Sequence, residues 1–278
     1  MVSNFHLPPM GYGPGSQANE GDEELQYMSM PQDMRAYYAH IPEVEYDEAL
    51  RPAMELMGAV ANAAKACSAG APNARFDLSD LDAANRRLVA ETMGEGEVAM
   101  KMHGIPAVAA QESVFAGIWV LKGAGLDAIE VGSAPDMART RAFAPRRAAL
   151  GTDAPKVPGV VNALSLLVEL QDKSAAYQAG DEVYVINLSL LPHTEQDLVW
   201  LEQALGQGST DILSRGYGNC RITATALDHV WRVQFFNSMD VLILDTFEVT
   251  AMPEVALAAA EDLSDSHERV LEVLEAIR

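Results

Sequence analysis

The chain has 278 residues, 49% of them hydrophobic, and a formal charge of −21 from 40 acidic against 19 basic residues. That length suits one large domain or two ordinary ones, and the apolar content suffices for a core. The charge argues against nucleic acid as a partner, because phosphate binding needs a basic surface, and makes basic partners the natural complement; the plainer reading is that acidity only keeps the protein soluble and monodisperse.

No apolar run is long enough to cross a bilayer, and the N-terminus has neither a basic n-region nor an apolar h-region, so a cytoplasmic location without membrane insertion is expected. Cys67 and Cys220 are too few for a disulfide framework and are expected to be reduced there.

In chain order, residues 1–44 form a segment apart. Pro8, Pro9, Gly11, Gly13, Pro14 and Gly15 precede the acidic Glu20–Glu24 and then Met28, Met30, Pro31 and Met34, with no period of 2 or 3.6. Such a stretch cannot bury enough apolar area to offset its ordering entropy, so it is expected to be an irregular arm. Its methionines, with Tyr27, Tyr37 and Tyr38, favour docking along the domain over free disorder.

From Tyr46 the pattern turns helical through Leu50, Met54, Met57, Ala61 and Ala64 to Gly70. A short run, Arg75–Leu78, leads to Ser79, which with Asp82 resembles a capping box for a helix ending at Gly94 and Gly96. Four strand-like runs follow up to Val131, and a short helix is predicted after Pro135. The order then recurs. Val160–Ala176 reads as an amphipathic helix with Val161, Leu164, Val168 and Leu170 among its apolar positions, and Val183–Leu188 reads as a strand. Thr194 and Asp197 repeat the capping signal, and Trp200, Leu201, Ala204 and Leu205 carry a helix to Gly206 and Gly208. After the strands of the second half, helices are predicted over Val255–Glu261 and from Ser266, with Asp265 and Glu268 as caps.

The recurrence is numerical. Gly94 and Gly206, Gly104 and Gly216, and Trp119 and Trp231 are each separated by 112 positions, whereas Glu130-Val131 matches Glu248-Val249, and Pro135 matches Pro253, at an offset of 118. This reads as an internal duplication, with modules at residues 45–150 and 151–278. The six extra residues of the second copy lengthen its hairpin by about three on each strand. Shared glycines and tryptophans, among them Gly216, Trp119 and Trp231, are then structural, as is Gly218. Residues peculiar to the second copy are candidates for function.

Those candidates cluster in Ser214–Val249, a polar loop followed by three strand-like runs that form an antiparallel meander. In the middle run Trp231, Val233 and Phe235 point one way, against Arg232, Gln234 and Phe236. Tyr217 between two glycines has no core face to fill, and Arg215 and Arg221 flank it; Arg and Tyr are residue types that anchor interfaces. A turn with solvated arginines is the plainer reading. Phe235, Phe236 and Met239 lie at the hairpin tip, where either another element of the chain or a partner must cover them. Cys220, beside Arg221 and nine positions before His229, admits a nucleophile reading, but no third orienting group accompanies it and a small buried hydrophobe is favoured. No phosphate loop, catalytic triad or close-spaced ligand set is present, so neither catalysis nor a resident metal or cofactor is indicated. The expected fold is α+β: two modules, each an antiparallel sheet with helices on one face.

Three stretches carry a family resemblance: Gly13-Pro-Gly-Ser-Gln17 with Tyr27-Met-Ser-Met-Pro31; Ser214-Arg-Gly-Tyr-Gly-Asn-Cys-Arg-Ile222; and Val230-Trp-Arg-Val-Gln-Phe-Phe-Asn-Ser-Met-Asp240 with Leu242-Ile-Leu-Asp-Thr-Phe-Glu-Val249. Over nearly its full length the chain resembles the HupH/HyaF family of hydrogenase expression and formation proteins. The resemblance implies a cytoplasmic, non-enzymatic accessory factor for NiFe-hydrogenase maturation. It further implies a chaperone for the iron–sulfur small-subunit precursor with its twin-arginine signal, working with a thioredoxin-like partner of the HyaE/HoxO type. Arg215, Tyr217, Arg221, Arg232, Phe235, Phe236 and Met239 are the expected contact residues; the family supplies no catalytic motif to carry over. A redox or cluster-transfer factor acting through Cys220, and a scaffold for the large subunit or the maturation proteases, are the alternatives.

Overall fold

The structure is a computed structural model that describes residues 47–216 and 218–277; the expected arm at residues 1–44 and the loop residue Tyr217 lie outside them. The described residues form six α-helices and ten strands. Helix α1 (Arg51–Ser68) has a proline in its first turn, where the missing N–H costs nothing. Strand β1 (Ala74–Asp77) leads to α2 (Ala83–Met93), whose N-cap is Asp82, accepting from Asn85 N–H at 2.8 Å. Ser79, the expected cap, instead gives its backbone N–H to Asp77 at 2.7 Å. Strands β2 (Val98–Met102), β3 (Val108–Glu112), β4 (Ile118–Gly123) and β5 (Leu126–Val131) then run to α3 (Asp136–Thr140).

Helix α4 (Ala163–Ala176) starts three residues later than expected. It turns Ala163, Leu166, Leu167 and Leu170 inward, while Val161, Leu164 and Val168 face solvent. The expected apolar face was therefore correct only at Leu170. Strand β6 (Tyr184–Asn187) and α5 (Glu195–Leu205) follow, and at α5 the capping box of Thr194 and Asp197 forms in both directions. Strands β7 (Thr210–Ser214), β8 (Asn219–Ala224), β9 (Val230–Phe236) and β10 (Leu242–Val249) complete the sheet. Strand β9 is one residue longer than β4 and β10 two longer than β5, so much of the insertion is spent in the turn rather than on the strands. Beyond Pro253 a single 3-10 turn, Glu254–Ala256, replaces the expected helix; α6 begins at Ala260 and runs unbroken to Ile277, placing Asp265 and Glu268 in its interior.

All ten strands join one sheet in the order β1-β5-β4-β3-β2-β7-β8-β9-β10-β6, every pairing antiparallel. Counted inward from either edge, the same succession of strands is met. At the centre Met100 of β2 faces Ile212 of β7, while Met102 faces Thr210 and Val98 faces Ser214. Equivalent local bonds recur on both sides. Trp119 donates its indole N–H to Gly132 O at 2.9 Å, and Trp231 to Thr250 O at 3.2 Å. The Ser113 hydroxyl bridges the N–H and O of Phe115, and the Thr225 hydroxyl does the same at Leu227.

Period-2 alternation divides the core. On one face Trp119, Leu121, Met100, Ile212, Cys220, Ile222, Trp231 and Val233 make a continuous layer, closed by Ala138 of α3 and by Met252 and Ala256. On the other, Ile118, Ile129 and Val131 pack under α1 and α2 at one end, and Val230, Phe247 and Val249 under α4 and α5 at the other. Helix α6 joins the first of these ends, lying along α1 although its sequence follows the second half.

Candidate functional site

The two expected contact elements meet at one end of the sheet. Arg215 leaves β7 with its N–H on Glu97 O at 3.1 Å, and Gly216 lies so close to the Glu97 carboxylate that a Cβ would run into it. Gly218, at φ +92°, brings the loop back into β8 in a conformation that favours glycine. Asn219 then donates from its side-chain amide to Asp240 Oδ1 at 3.1 Å, tying this loop to the β9–β10 turn. In that turn Asn237 Oδ1 accepts from Met239 and Val241 N–H at 2.9 and 3.0 Å, a local bond that holds the tip shut.

The alternation of β9 runs as expected. Phe235 leans on the layer containing Trp231, while Arg232, Gln234 and Phe236 point to the opposite face. There the Arg221 guanidinium stacks 4.6 Å above the Phe236 ring. Arg232 is already engaged: Asp245 takes both its Nε and Nη2 hydrogens at 3.0 and 2.6 Å, and Gln234 donates its side-chain amide to the same Asp245 carboxylate at 3.3 Å. Met239 is 80% exposed, and beside it Val241, Leu242 and Ile243 are also exposed. Strand β6 pairs only with Thr246–Val249, so the start of β10 presents an outer edge that no named strand covers.

Between the two helix pairs no described helix lies on the sheet. In-register rows run from Gln111 through Ala99, Leu213 and Arg221 to Gln234, and from Ala109 through Lys101, Asp211 and Thr223 to Arg232. Apart from Gln234 and Arg232 at their ends, these residues line a groove of about 580 Å³ that includes Arg221. His103 Nε2 lies 2.8 Å from Asp211 Oδ2, with Arg146 beside it.

Cys220 does not face this groove. It is buried in the tryptophan layer, where burial first, and the nearby Glu248 charge second, push its thiol up to about 12. Such a thiol stays protonated at neutral pH, which counts against the nucleophile reading. Burial likewise raises Cys67, whose sulfur points at Pro72 O and Val131 O. Among the described residues no three His, Cys, Asp or Glu side chains converge as metal ligands, and no helix is long and apolar enough to cross a membrane.

The sequence reading placed Arg215, Arg221, Phe236 and Met239 in or beside one exposed lobe, but Phe235 belongs to the core side and Tyr217 falls outside the described residues. It missed Val241, Leu242 and Ile243. A signal was present: four consecutive apolar residues, Val241–Leu244, cannot all turn inward on a strand that alternates faces.

Comparison with known proteins gives a consistent family. Residues 160–277 match the model for the HupH hydrogenase expression protein, C-terminal conserved region. The chain is 63% identical to the hydrogenase expression/formation protein HupH of Rhodobacter capsulatus over 278 residues, all of both chains. It is 45% identical to HoxQ of Cupriavidus necator over 98% of each chain, and 34% identical to the hydrogenase-1 operon protein HyaF of Escherichia coli over 71% of each. A solved HupH structure from Thiobacillus denitrificans aligns with 41% of this chain and 94% of its own, at 30% identity and a TM-score of 0.38. Full-length identity at this level leaves the loop, the tip and the sheet between them within one lineage, and the chain belongs to the HupH family of hydrogenase expression/formation proteins.

Proposed function

We propose that this chain is a non-enzymatic accessory chaperone in the maturation of a NiFe-hydrogenase, and that it holds the iron–sulfur small-subunit precursor, with its twin-arginine segment, before export from the cytoplasm. The observation that carries the reading is the exposed lobe. An apolar tip of Met239, Val241, Leu242 and Ile243 is bonded through Asn219 and Asp240 to the start of β8, which bears Arg221 and follows the loop bearing Arg215. Exposed apolar residues rimmed by polar ones mark interaction sites, and a free strand edge accepts an extended segment by main-chain pairing. Relatives named hydrogenase expression/formation proteins support a role in making a hydrogenase. A formal charge of −21 complements a basic signal segment. A thioredoxin-like factor of the HyaE/HoxO type is the proposed co-worker.

The two halves, residues 45–150 and 151–278, are read as copies of one module. The mirrored strand order, the Met100–Ile212 pairing and the twin tryptophan bonds support that reading. In this account the second copy has acquired the client-binding loop and tip.

The test is co-purification from cells making the hydrogenase, with bound chains identified by mass. Wild type is expected to retain the small subunit with its signal segment attached. A variant carrying Met239→Ser, Val241→Ser and Ile243→Ser should lose it with an unchanged melting temperature, because all three side chains are exposed. Recovery of only the large subunit or a maturation protease would replace this reading with a scaffold.

A further inference from the structure

Helix α6 shows how this fold receives a helix, and the second half offers a comparable stripe that none of the described residues covers. Along α1, Lys65 Nζ reaches Ser264 Oγ at 3.3 Å, His267 Nδ1 lies 2.9 Å from Ala61 O, and Met54 and Gly58 face Leu271 and Leu274. Helices α1 and α4 start in the same way: Ala53 N–H is taken by Asn85, and Ala163 N–H by Asp197, each the third residue of the following helix. Superposing those starts puts Leu164 at the place of Met54, Val168 at Gly58 and Gln171 at Ala61. The 3-10 turn Gly151–Asp153 comes close to α4 at Gln171. Beyond it Leu164 is 37% exposed, Val168 54% and Val161, at the place of Arg51, 70%.

The flanks differ in charge. Lys65 of α1 reaches Ser264 of α6, while Arg51 pairs with Glu48 and Glu55 of its own segment; α6 carries Glu261, Asp262, Asp265, Glu268, Glu272 and Glu275. At α4 the same two places are Val161, just ahead of the helix, and Ala175; the exposed Glu169, which accepts the Tyr184 hydroxyl, and Asp172 stand where α1 has Ala59 and Asn62. The one cation of α4, Lys173, sits 4.6 Å from the centre of the Tyr184 ring. A second copy of this chain would bring like charges against this flank.

We propose that the Val161–Leu164–Val168 stripe is a docking site for an amphipathic helix of a partner protein, apolar on one side and bearing lysine or arginine beside it. The site is separate from the loop and tip and does not depend on the function proposed for them. An α-helix presents such a stripe at three- and four-residue spacing, matching α4 ridge for groove as α6 matches α1. Lysine or arginine on its flank pairs with Glu169 and Asp172.

The test uses two synthetic peptides of roughly 18 residues, enough to run the length of α4. Both carry the same leucine stripe, one flanked by lysines and the other by glutamates, and binding is read by fluorescence anisotropy. The lysine peptide should bind at least about tenfold more tightly. Leu164→Ser with Val168→Ser, which leaves every charge in place, should weaken it at least tenfold, and so should Glu169→Gln with Asp172→Asn. The tip variant Met239→Ser should bind as wild type. Equal binding of both peptides, or full retention by the serine variant, would overturn the proposal, the latter as adhesion to an acidic surface. A dimer in sedimentation that the serine variant dissolves would overturn it in favour of a second copy.

Discussion

Replacing Glu112 by glutamine should stabilise the protein above neutral pH and leave it nearly unchanged in mild acid. Glu112 is 7% exposed, beside Trp119 in the sheet register, and its Oε1 accepts the Gly117 N–H at 3.1 Å. Burial raises its carboxyl from 4.5 to about 7; the N–H groups of Gly117 and Val98 oppose the rise, and the charges of Glu97 and Asp262 add to it. Between those two values the folded protein keeps a proton that the unfolded chain has released. Stability therefore falls as pH rises through the window, and the full cost is present above the folded value. That rise, from 4.5 to about 7, corresponds to about 3 kcal/mol. Glutamine keeps the acceptor for Gly117 and cannot ionise. Urea unfolding followed by tryptophan fluorescence should show the variant ahead by about 2–3 kcal/mol at pH 8 and close to wild type near pH 4.5, because the contributions of all other groups cancel in the difference. Parallel stability curves across that range would refute the assignment of a buried, proton-holding carboxyl.

Asp197→Ala should cost about 3 kcal/mol in the same assay, since one buried carboxylate accepts the N–H groups of Val161, Asn162, Ala163 and Thr194. Burial alone would raise its carboxyl, but those four donors outweigh it and bring the value to about 2. Its contribution is present above the ordinary aspartate value and is lost as pH falls through about 2, so the gap between wild type and variant should close in strong acid. Cys220 should resist a thiol reagent at pH 8 until urea is added; labelling of the native protein at that residue would restore the nucleophile reading. Cys220→Ser should lower stability by about 1–3 kcal/mol through an unpartnered hydroxyl, and should leave hydrogenase maturation intact wherever the folded protein accumulates.

Much of the fold was legible because its signals are local. The capping box at Thr194, the glycine stops at Gly94 and Gly206, and the alternation along β9 each depend on a few neighbouring residues, and each appears where it was expected. Of the exposed lobe, Arg221, Phe236 and Met239 were singled out by residue type and position, and their contact role is the proposal made above. Arg232 could not be ranked without its partner, because Asp245 comes to it from the adjacent strand and takes both ends of the guanidinium. The stretch Val241–Ile243 was passed over because the turn was placed as a tip rather than as the start of an uncovered strand edge.

By itself, then, the sequence determined most of the elements and their order, the tryptophans that fill the core and the family. Periods of 2 and 3.6 and the chemistry of caps operate within a turn or two of chain. Only the tertiary structure decided which side of α4 is buried, because that helix is apolar over much of its circumference and its own sequence offers two stripes. Only the tertiary structure sent α6 back to α1, through contacts such as Lys65 with Ser264, 199 residues apart. It also buried Cys220 and joined Asn219 to Asp240. Each of these rests on which distant surfaces exclude water from one another, a property of the assembled chain that no local window of sequence contains.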